Sequence, residues 1–444
     1  MSNKKDKCIN DTWAMRSFFV YLCLLVLLPA TVHAQIVVED DNTTDDEIVV
    51  VDEMGNKEEI DFPEAMTYEL DSLMNQYMTK TYLTADNDCQ MKDENPTFGR
   101  EVYIDRLHRM PTIMEMPYNE VVQSCIDRYT GRLRRTVSYM LGASNFYMPF
   151  FEEALEMYQM PLELKYLPII ESALNPTATS RAGAGGLWQF MITTGKMYGL
   201  EVNSLIDERR DPVKASYAAA RYLRDLYKIF GDWNLVIAAY NCGPENINKA
   251  IRRAGGEKDY WKIYPYLPKE TRGYVPAFIA ANYVMNYYCE HNICPMSSQL
   301  PVKTDTVVVD RNVAFSQIAE VCGFDMQMLR ALNPEYRRDI VPGATKPSAI
   351  RLPMNDVARF IDLQDSVYAF DAGLQKRMEV AVEEPVVTKA SKRGAARGGK
   401  YHTVRRGDTL GSIAKRNKTT VAKIKRLNGI RGNNIQPGQK VGVR

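Results

Sequence analysis

The sequence predicts a mainly α protein: a large all-α region followed by two small α+β units of order β-α-α-β. Three observations predict it. Between residues 100 and 290 apolar residues recur at helical spacing, and no period-2 alternation of any length appears. After Pro295 the order strand, helix, helix, strand is spelled twice, which is a repeat. Turn-forming Gly, Pro and Asn punctuate both stretches. At 444 residues the chain is too long for one ordinary core, so two or three domains are expected.

The chain begins with Lys4, Lys5, Lys7 and Arg16 ahead of an apolar run from Phe18 to Pro29. Ala-Thr-Val-His-Ala follows at 30–34, with Val32 and Ala34 at the small-residue positions of a cleavage site. Residues 1–34 are therefore expected to be an export signal, since the run is short for a membrane-spanning helix. An uncleaved anchor is the alternative. Bulky Leu22 before Cys23 argues against a lipidated cysteine.

Residues 35–62 are acidic and poor in aromatics, which predicts a disordered leader. At the other end, 389–444 hold sixteen Lys and Arg against one acid, Asp408. A basic end suits a polyanionic partner: a wall polymer, a membrane surface or nucleic acid. Base-reading motifs are absent, so no nucleic-acid partner is expected. Export would permit disulfides, and Cys289 with Cys294 or Cys89 with Cys125 are the candidate pairs. No CxxC pair or Cys/His cluster has metal spacing, and no metal or cofactor is expected.

From 63 to 160 the pattern is helical. Val121, Val122, Cys125, Ile126 and Tyr129 mark one helix face, and the apolar residues from Tyr139 to Tyr158 suggest two further helical stretches. These read as support for the segment 161–198, around which the chain is organised. There an apolar run (Leu164, Tyr166, Leu167, Ile169, Ile170) ends on Glu171 and Ser172. A Gly-rich turn follows, and the chain re-enters apolar sequence at Leu187-Trp188-Gln189-Phe190. A carboxylate at the end of a buried helix, opposite such a turn, loses hydration. Its pKa rises, and it can remain a proton donor near neutral pH.

Asp211-Pro212 then opens a long helix, with Asp as cap and Pro in the first turn, that stops at Gly231. A second runs from Trp233 to Tyr240, and another follows Glu270-Thr271-Arg272-Gly273-Tyr274-Val275. The tyrosines and Trp233 around 217–240 are expected in the core rather than on a sugar-stacking face. In the first α+β unit, 302–354, the strands are Thr306–Val309 and Ile350–Pro353. In the second, 401–444, Tyr401–Val404 opens and Val441 closes the unit. Between them, 371–400 is a basic linker.

Residues 161–290 resemble the family 1 lytic transglycosylases of bacterial cell walls, whose fold is lysozyme-like. Glu171-Ser172 looks like the catalytic Glu-Ser pair, and SRAGAGGLWQ from Ser180 to Gln189 resembles the Ser-x-x-Gly-Ala-x-Gly-Leu-Met-Gln stretch. Ala239-Tyr240-Asn241 resembles the Ala-Tyr-Asn motif, and Glu270 to Val275 the Glu-Thr-x-x-Tyr-Val motif. Trp188 stands where the family often has Met and is expected to wall the cleft. The two trailing units resemble LysM domains, which bind glycans containing N-acetylglucosamine. The second has Gly-Asp-Thr-Leu at 407–410, whereas the first, divergent, has Arg311 to Phe315 instead. With export signal and repeats, the whole chain is similar to the membrane-bound D group of these enzymes.

The resemblance implies a transglycosylase domain over 161–295 and a peptidoglycan lytic transglycosylase, exported to the cell envelope or periplasm, with membrane association left open. Its partner would be peptidoglycan glycan strands. Glu171 would be the catalytic acid and then base, cleaving between N-acetylmuramic acid and N-acetylglucosamine to leave a 1,6-anhydro end. Ser180 would hydrogen-bond the N-acetyl group, Gln189, Tyr240 and Asn241 would hold sugar, and Met191 and Thr194 would line the cleft. Tyr274 would orient the acid or stabilise charge. Gly407, Asp408, Thr409, Leu410 and Asn428 would be the glycan-binding residues of the second unit. Glu163 and Asp207, outside the motifs, are expected on solvent faces. A hydrolase of the same fold and a non-catalytic wall-binding protein are the alternatives.

Overall fold

The computed structural model describes residues 47–51, 57–67, 83–84, 91, 94–371, 401–405, 407–428, 430, 435 and 439–443. The expected export signal at 1–34, and all of the expected linker but Asp371, lie outside the described residues.

Helices α1 (Arg100–Arg109), α2 (Glu120–Thr130) and α3 (Arg134–Met157) come first. Asn119 caps α2 by accepting the Val122 N–H at 2.9 Å. The helical stretches expected between Tyr139 and Tyr158 are one continuous helix, with Pro149 inside it. The 3₁₀ turn Leu162–Tyr166 leads into α4 (Leu167–Ser172), which carries Glu171 near its end. Ala173 and Leu174, both at positive φ, terminate it. After α5 (Ile192–Met197) the long helix α6 (Pro212–Phe230) is capped by Asp211, whose Oδ1 accepts from Val213 and Lys214. It ends at Gly231, as expected. Ala215, Ala218 and Ala219 are fully buried, and these small residues let α6 lie close to its neighbours.

Helices α7 (Trp233–Cys242), α8 (Pro244–Arg253) and α9 (Tyr260–Ile263) precede α10 (Lys269–Tyr287). Every residue of α10 from Gly273 to Met285 is buried. A helix apolar on all sides is a core helix, and α2, α4 and α7 pack around this one.

Over its described residues, 47–51 and 57–62, the disordered leader expected at 35–62 is corrected by the structure. Strands β1 (Glu47–Val51) and β2 (Lys57–Asp61) form an antiparallel hairpin, and β2 lies against α10. Ile60 is fully buried and Phe62 nearly so. A Cβ on Gly273 would come within 2.3 Å of the Asp61 carbonyl oxygen, so a glycine is required where this strand crosses the helix. The acidic composition masked two apolar anchors at the end of the segment. Short strands β3 (Leu83–Thr84) and β4 (Ser297–Ser298) pair beyond them.

The expected cysteine pairs are also corrected. Cys125 is a buried free thiol and Cys289 keeps its thiol, while Cys294 is disulfide-bonded to a partner outside the described residues.

The first α+β unit comprises β5 (Thr304–Val309), β6 (Asn312–Ala314), α11 (Phe315–Cys322), α12 (Met326–Leu332), β7 (Ile340–Pro342) and β8 (Ser348–Pro353). Strands β5 and β8 pair antiparallel with Val307 opposite Ile350, and β6 pairs with β7. The unit runs past the expected boundary at 354 into α13 (Val357–Ala369). Phe360 and Val367 are fully buried against α11, and the Gln317 amide donates to the carbonyls of Val367 and Phe370.

This unit is docked on the all-α region. Leu205 and Ile206 enter its hydrophobic core. Main-chain bonds run from Asp207 N–H to Glu335 O at 2.9 Å and from Arg337 N–H to Leu205 O at 2.8 Å. The Arg351 guanidinium lies 5.1 Å from the centre of the Phe150 ring.

The second unit has the expected order: β9 (Tyr401–Thr403), α14 (Leu410–Arg416), α15 (Val421–Asn428) and β10 (Lys440–Gly442). One device relates the two units. The Asn428 amide accepts from Gly442 N–H and donates to Ile424 O and Gly442 O, tying the second helix to the last strand. Asn333 does the same with Arg351 and Leu329.

Candidate active site

The site is assembled where α4, α7 and α10 meet the turn Ala178–Phe190. Glu171 is held in place by its neighbour. The Ser172 hydroxyl, fully buried, lies within hydrogen-bond distance of Pro168 O (3.0 Å) and Leu187 O (2.9 Å), joining the end of α4 to the turn. The Tyr274 hydroxyl, presented by α10, donates to Glu171 Oε1.

Glu171 is half-buried as a residue, but its carboxyl end is desolvated, and its pKa is pushed up to about 8. Desolvation is the main cause. Glu270 adds to it, and the Tyr274 hydrogen bond opposes it by favouring the anion. Burial, reinforced by the Glu171 charge, holds the phenols of Tyr274 and Tyr240 well above their ordinary range, so both remain protonated donors.

The turn is built on a two-way main-chain pair between Gly185 and Phe190. Ser180 Oγ accepts the Ala184 N–H at 3.1 Å. Gln189 adopts φ 45°, and its amide nitrogen donates to Gly186 O at 2.7 Å. Neither the Ser180 hydroxyl proton nor Gln189 Oε1 has a partner among the described residues, so both groups are open to a ligand. Tyr240 donates to Trp188 O at 2.7 Å, beside Gln189. Asn241 Oδ1 accepts from Thr271 Oγ1 at 2.8 Å, leaving its amide hydrogens to donate. Met191 is 43 % exposed and Thr194 half-buried, at the start of α5.

Three expectations are corrected. Trp188 does not wall the cleft. It is fully buried, donates Nε1–H to Ser216 Oγ at 2.9 Å and meets the Phe151 ring edge-on. Glu163 is buried and accepts the Met114 N–H at 2.7 Å. Asp207 is also buried, in a two-point pair with Arg209. Both are carboxylates outside the apolar periodicity, which gives no sign of a buried partner.

The turn also depends on Arg209, which sequence reasoning missed. Its guanidinium donates to Gly183 O and Phe190 O, both at 2.9 Å, from beneath the turn. The charged run Asp-Glu-Arg-Arg-Asp at 207–211 was the available signal.

In the second unit, the Asp408 carboxylate faces His402 (2.8 Å), the Arg405 N–H (3.0 Å) and Arg416 (3.2 Å). The His402 bond is the main cause holding its pKa down at about 2. Thr409 caps α14 by accepting the Ser412 N–H, Leu410 is buried, and Gly407 takes φ 91°. These residues and Asn428 shape the unit through internal contacts. No group of three or more His, Cys, Asp or Glu among the described residues is placed to hold a metal ion.

Comparison with known proteins matches three stretches to family models. These are the Transglycosylase SLT domain over 148–263, the Lytic transglycosylase MltD, LysM-like domain over 303–369, and the LysM domain over 402–443. The second match ends with α13, as the fold does. The soluble lytic murein transglycosylase of Escherichia coli (strain K12) is 32% identical over 124 residues, 27% of this chain and 19% of that protein. The crystal structure of the 70 kDa soluble lytic transglycosylase of the same species aligns at 28% identity over 34% of this chain and 26% of that one, with a TM-score of 0.29. The membrane-bound lytic murein transglycosylase D of Escherichia coli (strain K12) is 30% identical over 334 residues, covering 74% of this chain and 70% of that protein. By that coverage, and by the three domain matches in order, the chain belongs to the lytic murein transglycosylase D family.

Proposed function

We propose that Glu171 alone serves as acid and then base in this peptidoglycan lytic transglycosylase. The observation that carries it is the desolvated Glu171 carboxyl, bonded to Tyr274 and pushed up to about 8, hence protonated at neutral pH. The acid gives its proton to the glycosidic oxygen between N-acetylmuramic acid and N-acetylglucosamine. The C1–O bond breaks with charge developing on the muramoyl ring. Glu171, now anionic and stabilised by the Tyr274 hydroxyl, takes the proton of the C6 hydroxyl. The C6 oxygen closes onto C1, giving a 1,6-anhydro end without consuming water. An internal nucleophile has high effective molarity, so no second carboxylate is needed to activate water. Glu163 and Asp207, engaged elsewhere, are consistent with this economy.

Ser180, Gln189, Tyr240 and Asn241 supply the polar contacts to sugar, and Met191 and Thr194 the edge of the groove. The LysM units give affinity for the glycan. In the second unit Gly407, Asp408, Thr409, Leu410 and Asn428 are the glycan-binding residues, with Asp408 and Thr409 ordering the start of α14 and Asn428 tying α15 to β10. The enzyme works in the cell envelope, and residues 1–34 would export it to the periplasm. No helix among the described residues is long and apolar enough to cross a membrane.

Mass spectrometry of sacculi digested by the full chain tests the reading. Anhydro ends are expected from the wild type and none from Glu171→Gln. Products heavier by one water would make the enzyme a hydrolase, and unchanged turnover in the variant would remove Glu171 from the mechanism.

A further inference from the structure

We propose that Arg209 is a positioning residue for the turn that presents Ser180 and Gln189, and that the first LysM unit holds Arg209 in place through the main chain of Asp207. This rests on the sugar-holding reading of that turn.

The connection is continuous. Glu335 O, in the first LysM unit, accepts the Asp207 N–H at 2.9 Å. The Asp207 carboxylate takes the Arg209 Nε–H and Nη2–H, both at 2.8 Å. The same guanidinium reaches Gly183 O and Phe190 O with Nη1. One carbonyl lies within the turn, where the Gly183 N–H bonds Ser180 O at 2.9 Å, and the other ends it, directly after Gln189. The packing leaves no slack: a Cβ on Gly186 would lie 1.7 Å from the Arg209 carbonyl oxygen, and one on Gly185 2.9 Å from its Cζ.

A planar fork is needed to meet a carboxylate at two points and two carbonyls at once, and lysine cannot reproduce it. The seam is not a loose tether. Leu205 and Ile206 are buried in the core of the first unit, and Arg337 N–H closes a second main-chain bond to Leu205 O. The first LysM unit is thus a fixed buttress of the cleft.

Two full-length variants test this. Arg209→Lys removes the fork. Arg337→Pro lies on the exposed side of the seam and deletes the donor to Leu205 O. On a short soluble glycan, KM is expected to rise by about tenfold with kcat within about twofold, because a displaced turn loses ground-state sugar contacts. A merely structural defect would lower kcat through a smaller folded fraction and leave KM alone.

Hydrogen exchange gives an independent readout that needs no activity. In Arg337→Pro the Gly185 and Phe190 amides should exchange about tenfold faster, with α2 and α10 unchanged. Faster exchange there supports the coupling even if the sugar-holding role of the turn fails. If Arg209→Lys does not fold, Arg337→Pro carries the test. Unchanged exchange at these two amides overturns the proposal, whereas faster exchange with unchanged KM in the folded variants overturns the sugar-holding reading on which it rests.

Discussion

Tyr274 donates its hydroxyl to the carboxyl of Glu171 from the buried stretch of α10, Gly273–Met285, around which α2, α4 and α7 pack. The bond favours the anion while burial favours the acid, and burial prevails. An acid that must later become a base benefits from both influences: it begins protonated and is received by a donor once it has lost the proton.

Removing that donor should move the pH profile in a defined direction. In Tyr274→Phe the counterweight to desolvation is gone, so the pKa of Glu171 should rise above about 8. The alkaline limb of kcat, which reports loss of the acid form, should shift upward. The plateau should fall by about tenfold or more because the base step loses its support. A pH–rate series on a soluble glycan checks both. An unmoved alkaline limb would mean that Tyr274 does not act through Glu171.

Glu171 should also be a liability to stability. Its folded pKa lies above the unfolded value near 4.5, so the native state retains the proton where the unfolded chain has released it. Stability therefore falls as pH rises from the unfolded value to about 8, and is flat below that window. Glu171→Gln should abolish activity yet melt at higher temperature than the wild type at pH 8. A gain of about 1–3 kcal/mol is expected there, discounted because the cleft face is partly wet. At pH 4 the two proteins should melt together. Differential scanning calorimetry at the two pH values decides.

The hairpin offers a separate test. Gly273→Ala would place a methyl against the Asp61 carbonyl and should force β2 off α10 at a cost of about 1–3 kcal/mol. Limited proteolysis should then cut within 47–61 well before the wild type is cut there. Equal protection would show that β2 does not depend on this crossing.

The catalytic region was legible because its signals are local. Asp211-Pro212 and Gly231 bound α6, and the end of an apolar run marks Glu171. What escaped were contacts between segments distant in sequence. The Trp188 indole is satisfied by Ser216 from α6, and no spacing rule anticipates that bond. Asp207 looks solvated because the Glu335 carbonyl that takes its N–H, and the turn carbonyls that fix its neighbour Arg209, come from segments distant in sequence. Ile60 sits in an acidic stretch, where composition argued against order more strongly than one apolar residue argued for it. The divergent repeat was read from element order alone. Asn333 and Asn428 show why that order was sufficient, since both units close with the same amide.

That amide makes the last prediction. Asn428→Ala would leave the Gly442 N–H and carbonyl without their side-chain partner, and the Ile424 carbonyl as well. Unsatisfied backbone groups of this kind should destabilise the small second unit by about 1–3 kcal/mol. Among the described residues its core comprises seven buried side chains, so the loss is a large share of its stability. Pelleting with insoluble peptidoglycan should weaken as temperature rises, approaching that of a chain lacking 401–444. Activity on short soluble glycans should stay at the wild-type level, because the core of the second unit is its own and no bond among the described residues joins it to the catalytic turn. Equal pelleting by all three proteins would place wall affinity outside the second unit.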